Sequence, residues 1–276
     1  MKSRLGQKGK SLDQSRYTAL RFDRTGRVLT ITINLPEQSN VVTQVLHEEM
    51  SRVFDDAADD ADSDIIVLTG AGSIFCAGGD MNWLADELRD GLAPFVTEAR
   101  TMKRIVHGLL DCPKPVIAKV NGDAMGFGAT IALLCDVVFA CEEARFADPH
   151  VKVGLVAGDG GAVIWPQLIG FGKARHYLLT GDAIEAREAE RMGLIAFSVP
   201  PEDLDTAVAS YTDRLARGAQ TAIRYTKTVT NLALKQMLAS VFEAGVAYEG
   251  LSRHTDDYRE GVTAFQERRR PSFTGR

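Results

Sequence analysis

Lys114-Pro115-Val116-Ile117-Ala118-Lys119-Val120 runs directly into Asn121-Gly122-Asp123-Ala124-Met125-Gly126-Phe127-Gly128 and then into an apolar segment ending at Leu134. A short apolar run, a glycine-rich loop and an apolar helical stretch describe a strand buried on both faces, the loop at its C-terminal end and a covering helix. The same order occurs upstream. Asp64-Ile65-Ile66-Val67-Leu68-Thr69-Gly70 is a second buried strand, Gly72-Ser73-Ile74-Phe75-Cys76-Ala77-Gly78-Gly79-Asp80 is its loop, and a helix is expected from about Pro94 to Leu110. Downstream, Asp136-Val137-Val138-Phe139-Ala140 is a further strand. A third loop runs Phe146-Ala147-Asp148-Pro149-His150-Val151-Lys152-Val153-Gly154-Leu155-Val156-Ala157-Gly158-Asp159-Gly160-Gly161. The repetition predicts an α/β fold whose ligands sit at the C-terminal ends of strands.

Working outward, Tyr17 to Leu35 reads as a β-hairpin that turns at Arg24-Thr25-Gly26. The segment from Thr43 to about Ala61 reads as a helix with Val45, Leu46, Met50, Val53 and Phe54 on its buried face. Residues 1–16 are polar, carry Lys2, Arg4, Lys8, Lys10 and Arg16, and are expected to form a loose tail. From Pro166 onward the pattern predicts helix after helix. The expected organisation is therefore a tail over 1–16, a core over 17–200 and a C-terminal helical region over 201–276.

Composition narrows the function classes. The 276 residues are 45% hydrophobic and 25% charged, an ordinary globular balance, and the net charge of -5 argues against a nucleic-acid surface. No apolar run approaches the roughly 20 residues needed to span a bilayer, and the N-terminus lacks the apolar core of a secretory signal. The four cysteines, Cys76, Cys112, Cys135 and Cys141, have no partner at metal-binding spacing. They are expected to be reduced thiols in a cytoplasmic protein, and no metal site is expected.

The glycine loops do not match a phosphate-binding fingerprint. They do place free backbone N–H groups near helix starts, at about Ala77 and Phe127. Two such donors aimed at one point form an oxyanion hole, although two tight structural turns have the same sequence appearance. In the third loop, His150 is the natural candidate base, since an unperturbed imidazole accepts a proton near neutral pH. Asp159 either orients that ring or activates water, and the Asp-Gly-Gly that it opens also reads as a helix N-cap. Asp80 reads as a cap for the helix after it, and Asp123 as a pocket or turn residue. Trp83 and Trp165 read as packing residues. No role is assigned to His47, His107, His176 or His254.

From about Tyr17 to Arg276 the chain resembles the crotonase, or enoyl-CoA hydratase/isomerase, superfamily. Asn34-Leu35-Pro36-Glu37-Gln38-Ser39-Asn40 is similar to its first coenzyme A loop, and Phe75-Cys76-Ala77-Gly78-Gly79-Asp80 and Asn121 to Gly128 to its two oxyanion loops. Leu178-Leu179-Thr180-Gly181-Asp182, Glu260-Gly261 and Ala264-Phe265-Gln266-Glu267-Arg268-Arg269-Arg270-Pro271 also fit. The resemblance implies a spiral of ββα turns with a C-terminal helical trimerisation region, assembled as trimers or dimers of trimers. It implies Ala77 and Phe127 as oxyanion donors. It also implies contacts to an acyl-CoA substrate from Gln38, Ser39, Val41, Gly78, Gly79, Asp80, Met81 and Gly126. Coenzyme A is then part of the substrate, and no separate cofactor is expected. Arg268, Arg269 and Arg270 either meet its phosphates or form a solvated basic run.

The departures point away from simple hydration. Thr130 and His150 stand where a typical hydratase of the superfamily carries its two glutamates. The His150/Asp159 spacing, with Trp165-Pro166, is similar to the 6-oxocamphor hydrolases of the same superfamily, which cleave a carbon–carbon bond of a cyclic β-diketone with water. Three readings follow: enolate chemistry on an acyl-CoA or related β-dicarbonyl with His150 as base, hydrolysis of a β-diketone, or a non-catalytic acyl-CoA-binding scaffold.

Overall fold

The structure, a computed structural model, describes residues 11–90 and 92–276. The hairpin expected at the start is β1 (Leu20–Thr25) and β2 (Val28–Ile33), paired antiparallel with Leu20 opposite Ile33. Gly26 turns the chain at φ 56°, a conformation that side chains disfavour. Helix α1 (Gln44–Asp59) starts on Thr43, whose side chain accepts from the Leu46 N–H. Next come β3 (Ile65–Gly70), α2 (Met81–Asp90), α3 (Leu92–Asp111) and β4 (Val116–Val120). Then follow β5 (Ala124–Met125), α4 (Phe127–Leu134), β6 (Val137–Cys141), β7 (Arg145–Ala147) and α5 (Gly161–Thr180).

The main sheet has the order β1-β2-β3-β4-β6-β9, with β9 at Phe197–Val199, and is parallel from β2 onward. A small second sheet joins β5, β7 and β8 (Ile184–Glu185). A long strand, a short strand and a helix therefore recur as β4-β5-α4 and β6-β7-α5, with a bridge from Cys76 to Ala124 tying the preceding loop into the small sheet. Every residue of β3 is buried, as covering on both faces requires. Its Ile65, Ile66 and Leu68 are fully buried, and each contributes roughly 1.5–3 kcal/mol on that account.

The C-terminal region consists of α6 (Ala186–Met192), α7 (Leu204–Ala216), α8 (Gln220–Met237), a π-turn at Leu238–Phe242, α9 (Glu243–Ser252) and α10 (Asp256–Gln266). Two ion pairs weld this layer to the sheet. Buried Lys227 of α8 meets Asp136 at 2.7 Å, and Arg224 meets Asp64 at 2.7 Å.

Three expectations need correction. The stretch after Pro166 is not helical throughout: β8 and β9 interrupt it, and β9 completes the main sheet. Both are only two or three residues long, too short for an alternating pattern to show. Val45, assigned to the buried face of α1, is 51% exposed, while His47 and Glu49 are buried there. Of the expected tail, residues 1–10 lie outside the described residues, and 11–16 are held down. Leu12 is buried with its N–H on Asp60 at 3.1 Å, and Arg16 pairs with Asp56 at 2.7 Å.

Candidate active site

The three loops after β3, β4 and β7 converge on one cavity of about 880 Å³, within the range typical of small-molecule sites. Buried Asn40 organises its entrance. The Asn40 side chain accepts from the Leu35 N–H at 2.9 Å and donates to the carbonyls of Ala71 and Ile74 at 2.8 and 2.7 Å. Ser39 and Asn40 adopt left-handed backbone angles, φ 53° and 54°, so the chain can double back against the second loop. There Val42 forms a parallel bridge with Gly79.

That bridge decides which amide is available. The Ala77 N–H, expected as the first oxyanion donor, donates to the Ser39 carbonyl at 3.2 Å. Val42 donates to the Gly78 carbonyl at 2.7 Å, and Asp80 donates to the Val42 carbonyl at 3.2 Å. In a parallel bridge held through its two neighbours, the central residue turns its own N–H to the opposite side. Gly79 is that residue, and it lines the cavity. The amide of this loop left free is therefore that of Gly79, two residues beyond the expected Ala77.

Phe127 is the first residue of α4, so its N–H has no partner within the helix. Gly126 before it has φ 53°, and its own N–H donates to the Ala147 carbonyl at 2.8 Å. The two loops touch: a side chain on Gly78 would come within 2.9 Å of the Met125 carbonyl oxygen. Glycine at 78 is what lets the Gly79 and Phe127 amides approach one another. A side chain on Gly126 would meet His150 Cε1 at 3.7 Å, which puts the imidazole beside the same point.

His150 opens a single 3-10 turn, His150–Val153, after Pro149. Its Nδ1 is hydrogen-bonded to Asp148 Oδ1, and its Nε2 lies 3.4 Å from Asp159 Oδ2. Both carboxylates are buried, Asp148 fully and Asp159 at 3% exposure. Burial alone lowers an imidazole pKa, but the charges of Asp148 and Asp159 more than reverse this and raise His150 to about 10. Near neutral pH the ring is therefore an imidazolium, which revises the expectation of a free neutral base. Burial raises the pKa of Asp159, opposed by the nearby His150 charge. Thr130 donates to Asp159 Oδ1 at 3.0 Å, and the Gly161 N–H donates to the same oxygen at 3.2 Å. The N-cap of α5 is Gly160 rather than Asp159; Asp159 tethers the first turn through Gly161 and faces the ring.

Asp148, His150 and Asp159 offer ligand atoms within 4.8 Å of one another. The arrangement fits a proton better than an ion. Nδ1 is engaged by Asp148, so a metal on Nε2 would gain only Asp159 from this group, fewer ligands than a resident site uses.

Glu249 of α9 went unnoticed in the sequence and is part of the site. It is 3% exposed, lines the cavity, and packs its Cβ against Gly158, next to Asp159. Arg253 holds it at 3.0 Å and grips Glu98 with two bonds of 2.7 and 2.8 Å. Burial raises Glu249 to about 7 against the opposing pull of Arg253. Its Oε2 accepts no hydrogen bond among the described residues. No local pattern marks this glutamate, because it comes from a helix about 90 residues downstream of Asp159.

The remaining expected residues divide clearly. Gln38, Ser39, Val41 and Gly78 line the cavity, as do Asp80, Met81 and Gly126. Asp80 also accepts from the Asn82 N–H at 2.9 Å, which caps α2. Asp123 faces away from the site, in an ion pair with Arg145 at 2.5 Å. Arg269 reaches the cavity rim with Pro271, already paired to Glu260 and Glu267 at 2.5 Å each. Trp165 is fully buried, whereas Trp83 lines the cavity.

A family model described as enoyl-CoA hydratase/isomerase matches residues 23–276. The chain belongs to the enoyl-CoA hydratase/isomerase family. A probable enoyl-CoA hydratase of Rhodobacter capsulatus is 34% identical over 260 residues, covering 94% of this chain and 99% of the relative. The 2,3-dehydroadipyl-CoA hydratase of Escherichia coli is 34% identical over 258 residues, covering 92% and 97%. A solved enoyl-CoA hydratase/isomerase from Mycobacterium paratuberculosis superposes with a TM-score of 0.85 at 34% identity, covering 89% of this chain and 98% of that one. The α/β architecture with its C-terminal helices is that of the family, and no helix of the described residues is long and apolar enough to cross a membrane. Within this family fold, the side chain one turn into α4 from Phe127 is Thr130, and it donates to Asp159.

Proposed function

We propose that this enzyme activates a carbonyl of an acyl-CoA thioester, or of a related β-dicarbonyl compound, as an enolate. One observation carries the reading. The Gly79 and Phe127 amides share a cavity with a histidine flanked by two buried carboxylates and with a third carboxyl, Glu249. The two amides hold the carbonyl oxygen while negative charge develops there, each worth roughly 10²–10³ in rate. Asp159, made more basic by burial, accepts the proton from water or from the substrate carbon, and the His150 imidazolium stabilises the charge beside it. Asp148 fixes the ring through Nδ1. Glu249, raised to about 7, returns a proton to the enolate carbon.

The chemistry differs from two-glutamate hydration, because the Thr130 hydroxyl has no base strength at neutral pH. A second reading, hydrolysis of a carbon–carbon bond in a β-diketone, is favoured by the pairing of Asp159 with Glu249. Water adds to one carbonyl as Asp159 takes its proton. The breaking bond leaves its electron pair in an enolate held by the two amides, and Glu249 protonates the carbon.

A panel of crotonyl-CoA, a 3-enoyl-CoA, acetoacetyl-CoA and a cyclic β-diketone separates the readings. Turnover of any member that collapses in Asp159→Asn supports the enolate mechanism, and the member turned over names the reaction. Hydration of crotonyl-CoA undiminished in Asp159→Asn and Glu249→Gln rejects it. Tight acyl-CoA binding without turnover of any member favours a scaffold. We also propose assembly as a trimer or dimer of trimers, supported by exposed apolar side chains such as Tyr225, Val229, Tyr248 and Leu251 on the C-terminal helices. A monomer at micromolar concentration in sedimentation equilibrium rejects that assembly.

A further inference from the structure

We propose that His47 determines specificity: its imidazole hydrogen-bonds a second oxygen of the substrate, a keto or hydroxyl oxygen on the acyl group near the carbonyl held by Gly79 and Phe127. The proposal rests on the enolate reading above and narrows its substrate class to acyl groups that carry such an oxygen.

His47 lies on the buried side of α1, among Leu46, Met50 and Val53, and is 5% exposed, yet it lines the cavity. Buried polar side chains almost always have a hydrogen-bond partner. Among the described residues no hydrogen bond holds either nitrogen of this ring, and neither is a fully buried unpartnered atom, so its polar edge opens to the cavity. Its ring neighbours are aromatic, Trp83 at 5.5 Å and Phe127 at 5.8 Å between centroids. The two rings fix the imidazole from its flanks and leave its polar edge without a protein partner.

The charge state selects the ligand. Burial drives the His47 pKa down to about 4, with Glu98 opposing and Arg253 reinforcing the shift and Glu48 opposing it weakly. Near neutral pH the ring is therefore neutral, with one N–H donor and one lone pair. Such a group suits a carbonyl or a hydroxyl, and offers a carboxylate no ion pair.

Position selects the place on the substrate. Phe127 supplies the amide for the activated carbonyl and also the ring that lies 5.8 Å from His47, so the imidazole lines the same cavity as that amide. The same wall carries Glu98, Glu249 and Arg253. These three groups pair with one another, yet Glu249 Oε2 and the His47 edge keep unused hydrogen-bonding capacity that an oxygenated acyl group can meet and a bare alkyl chain cannot.

Acetoacetyl-CoA and butyryl-CoA differ chiefly by the 3-keto oxygen, and titration of the purified protein with each tests the idea. The wild type is expected to bind acetoacetyl-CoA about tenfold or more tightly, the size of a good neutral hydrogen bond in a buried site. His47→Phe keeps a ring between Trp83 and Phe127 and should bring the ratio near one, while His47→Gln, which retains an amide donor, should keep part of it. Equal binding of the two ligands by the wild type overturns the proposal, whatever the variants do. So does an equal loss for both ligands in His47→Phe with an unchanged ratio, the mark of a packing role. Turnover of acetoacetyl-CoA is followed in parallel through the loss of its absorbance. A preserved binding preference without turnover of this or any other member of the panel rejects the enolate mechanism and leaves the His47 assignment standing.

Discussion

In the mechanism proposed above, the carbonyl-binding end of the cavity and the proton-handling end are made of different material. At the first, the working groups are the backbone amides of Gly79 and Phe127, placed by a parallel bridge to Val42 and by the start of α4. At the second, they are the side chains of His150, Asp159 and Glu249, drawn from two loop positions and a distant helix. Backbone donors depend on chain path and tolerate nearly any side chain. Side-chain acids and bases depend on the charges packed around them. A fold can therefore keep the first end while the second end changes its chemistry.

Substitutions at four positions probe that division, and the largest effect belongs to the side-chain end. Asp159→Asn should lower kcat on the accepted substrate by roughly 10³–10⁴ while acyl-CoA binding stays within a few fold, as for loss of a general base in a preorganised site. Steady-state kinetics beside calorimetric titration checks it, and equal losses in kcat and affinity would point to a structural role. Phe127→Pro comes next. Proline is accepted at the first position of a helix but has no N–H, so about 10²–10³ in kcat should be lost. Phe127→Ala keeps the amide, and its kcat should stay within about tenfold of the wild type; if the two variants behave alike, the backbone donor is not what matters.

Glu249→Gln is expected to reshape the pH dependence more than the maximum. A carboxyl raised to about 7 is a proton donor below that pH and loses the proton above it, so kcat should fall as pH rises through about 7. The variant should show a lower rate, by about 10- to 100-fold, without that limb. Persistence of the limb would assign it to another group. The smallest effect is reserved for Asp123→Asn, which breaks a half-exposed ion pair with Arg145 outside the cavity and should leave kcat/KM within about twofold.

Stability should follow His150 with a definite sign. Its folded pKa of about 10 lies above the unfolded value near 6.5. The ring's contribution is therefore complete below about pH 6.5 and is lost as pH rises through about 10. Chemical denaturation across that window, with His150→Gln as reference, reads the difference directly.

Much of the backbone end was legible in the residues. Gly78, Gly126 and the apolar runs before them mark strands that end in close-approaching loops, because Gly78 meets the Met125 carbonyl too closely for a side chain and Gly126 takes a φ of 53°. Both loops line the cavity, but the Ala77 N–H expected as a donor is engaged by the Ser39 carbonyl, and Gly79 two residues on is the one left free by the bridge. Which amide in a loop is free depends on the Ser39 carbonyl and the Val42 bridge, and both come from another part of the chain. His150 and Asp159 were singled out by position, and their juxtaposition holds in the structure. The protonation state of His150 was not legible, since it follows from the burial of Asp148 and Asp159 around it. Glu249 and His47 escaped notice for the same reason: a glutamate and a histidine on amphipathic helices look like surface residues until packing encloses them.

The sequence by itself determined the α/β layout and the glycine-rich loops, because hydrophobic periodicity and the conformational freedom of glycine are local properties of the chain, and its ordered motifs carried the resemblance to the family. Only the tertiary structure decided which amides face the cavity, that the histidine carries a charge, and that Glu249 and His47 join the site. Those outcomes depend on desolvation and on charges brought together from residues far apart along the chain, and no local pattern encodes them.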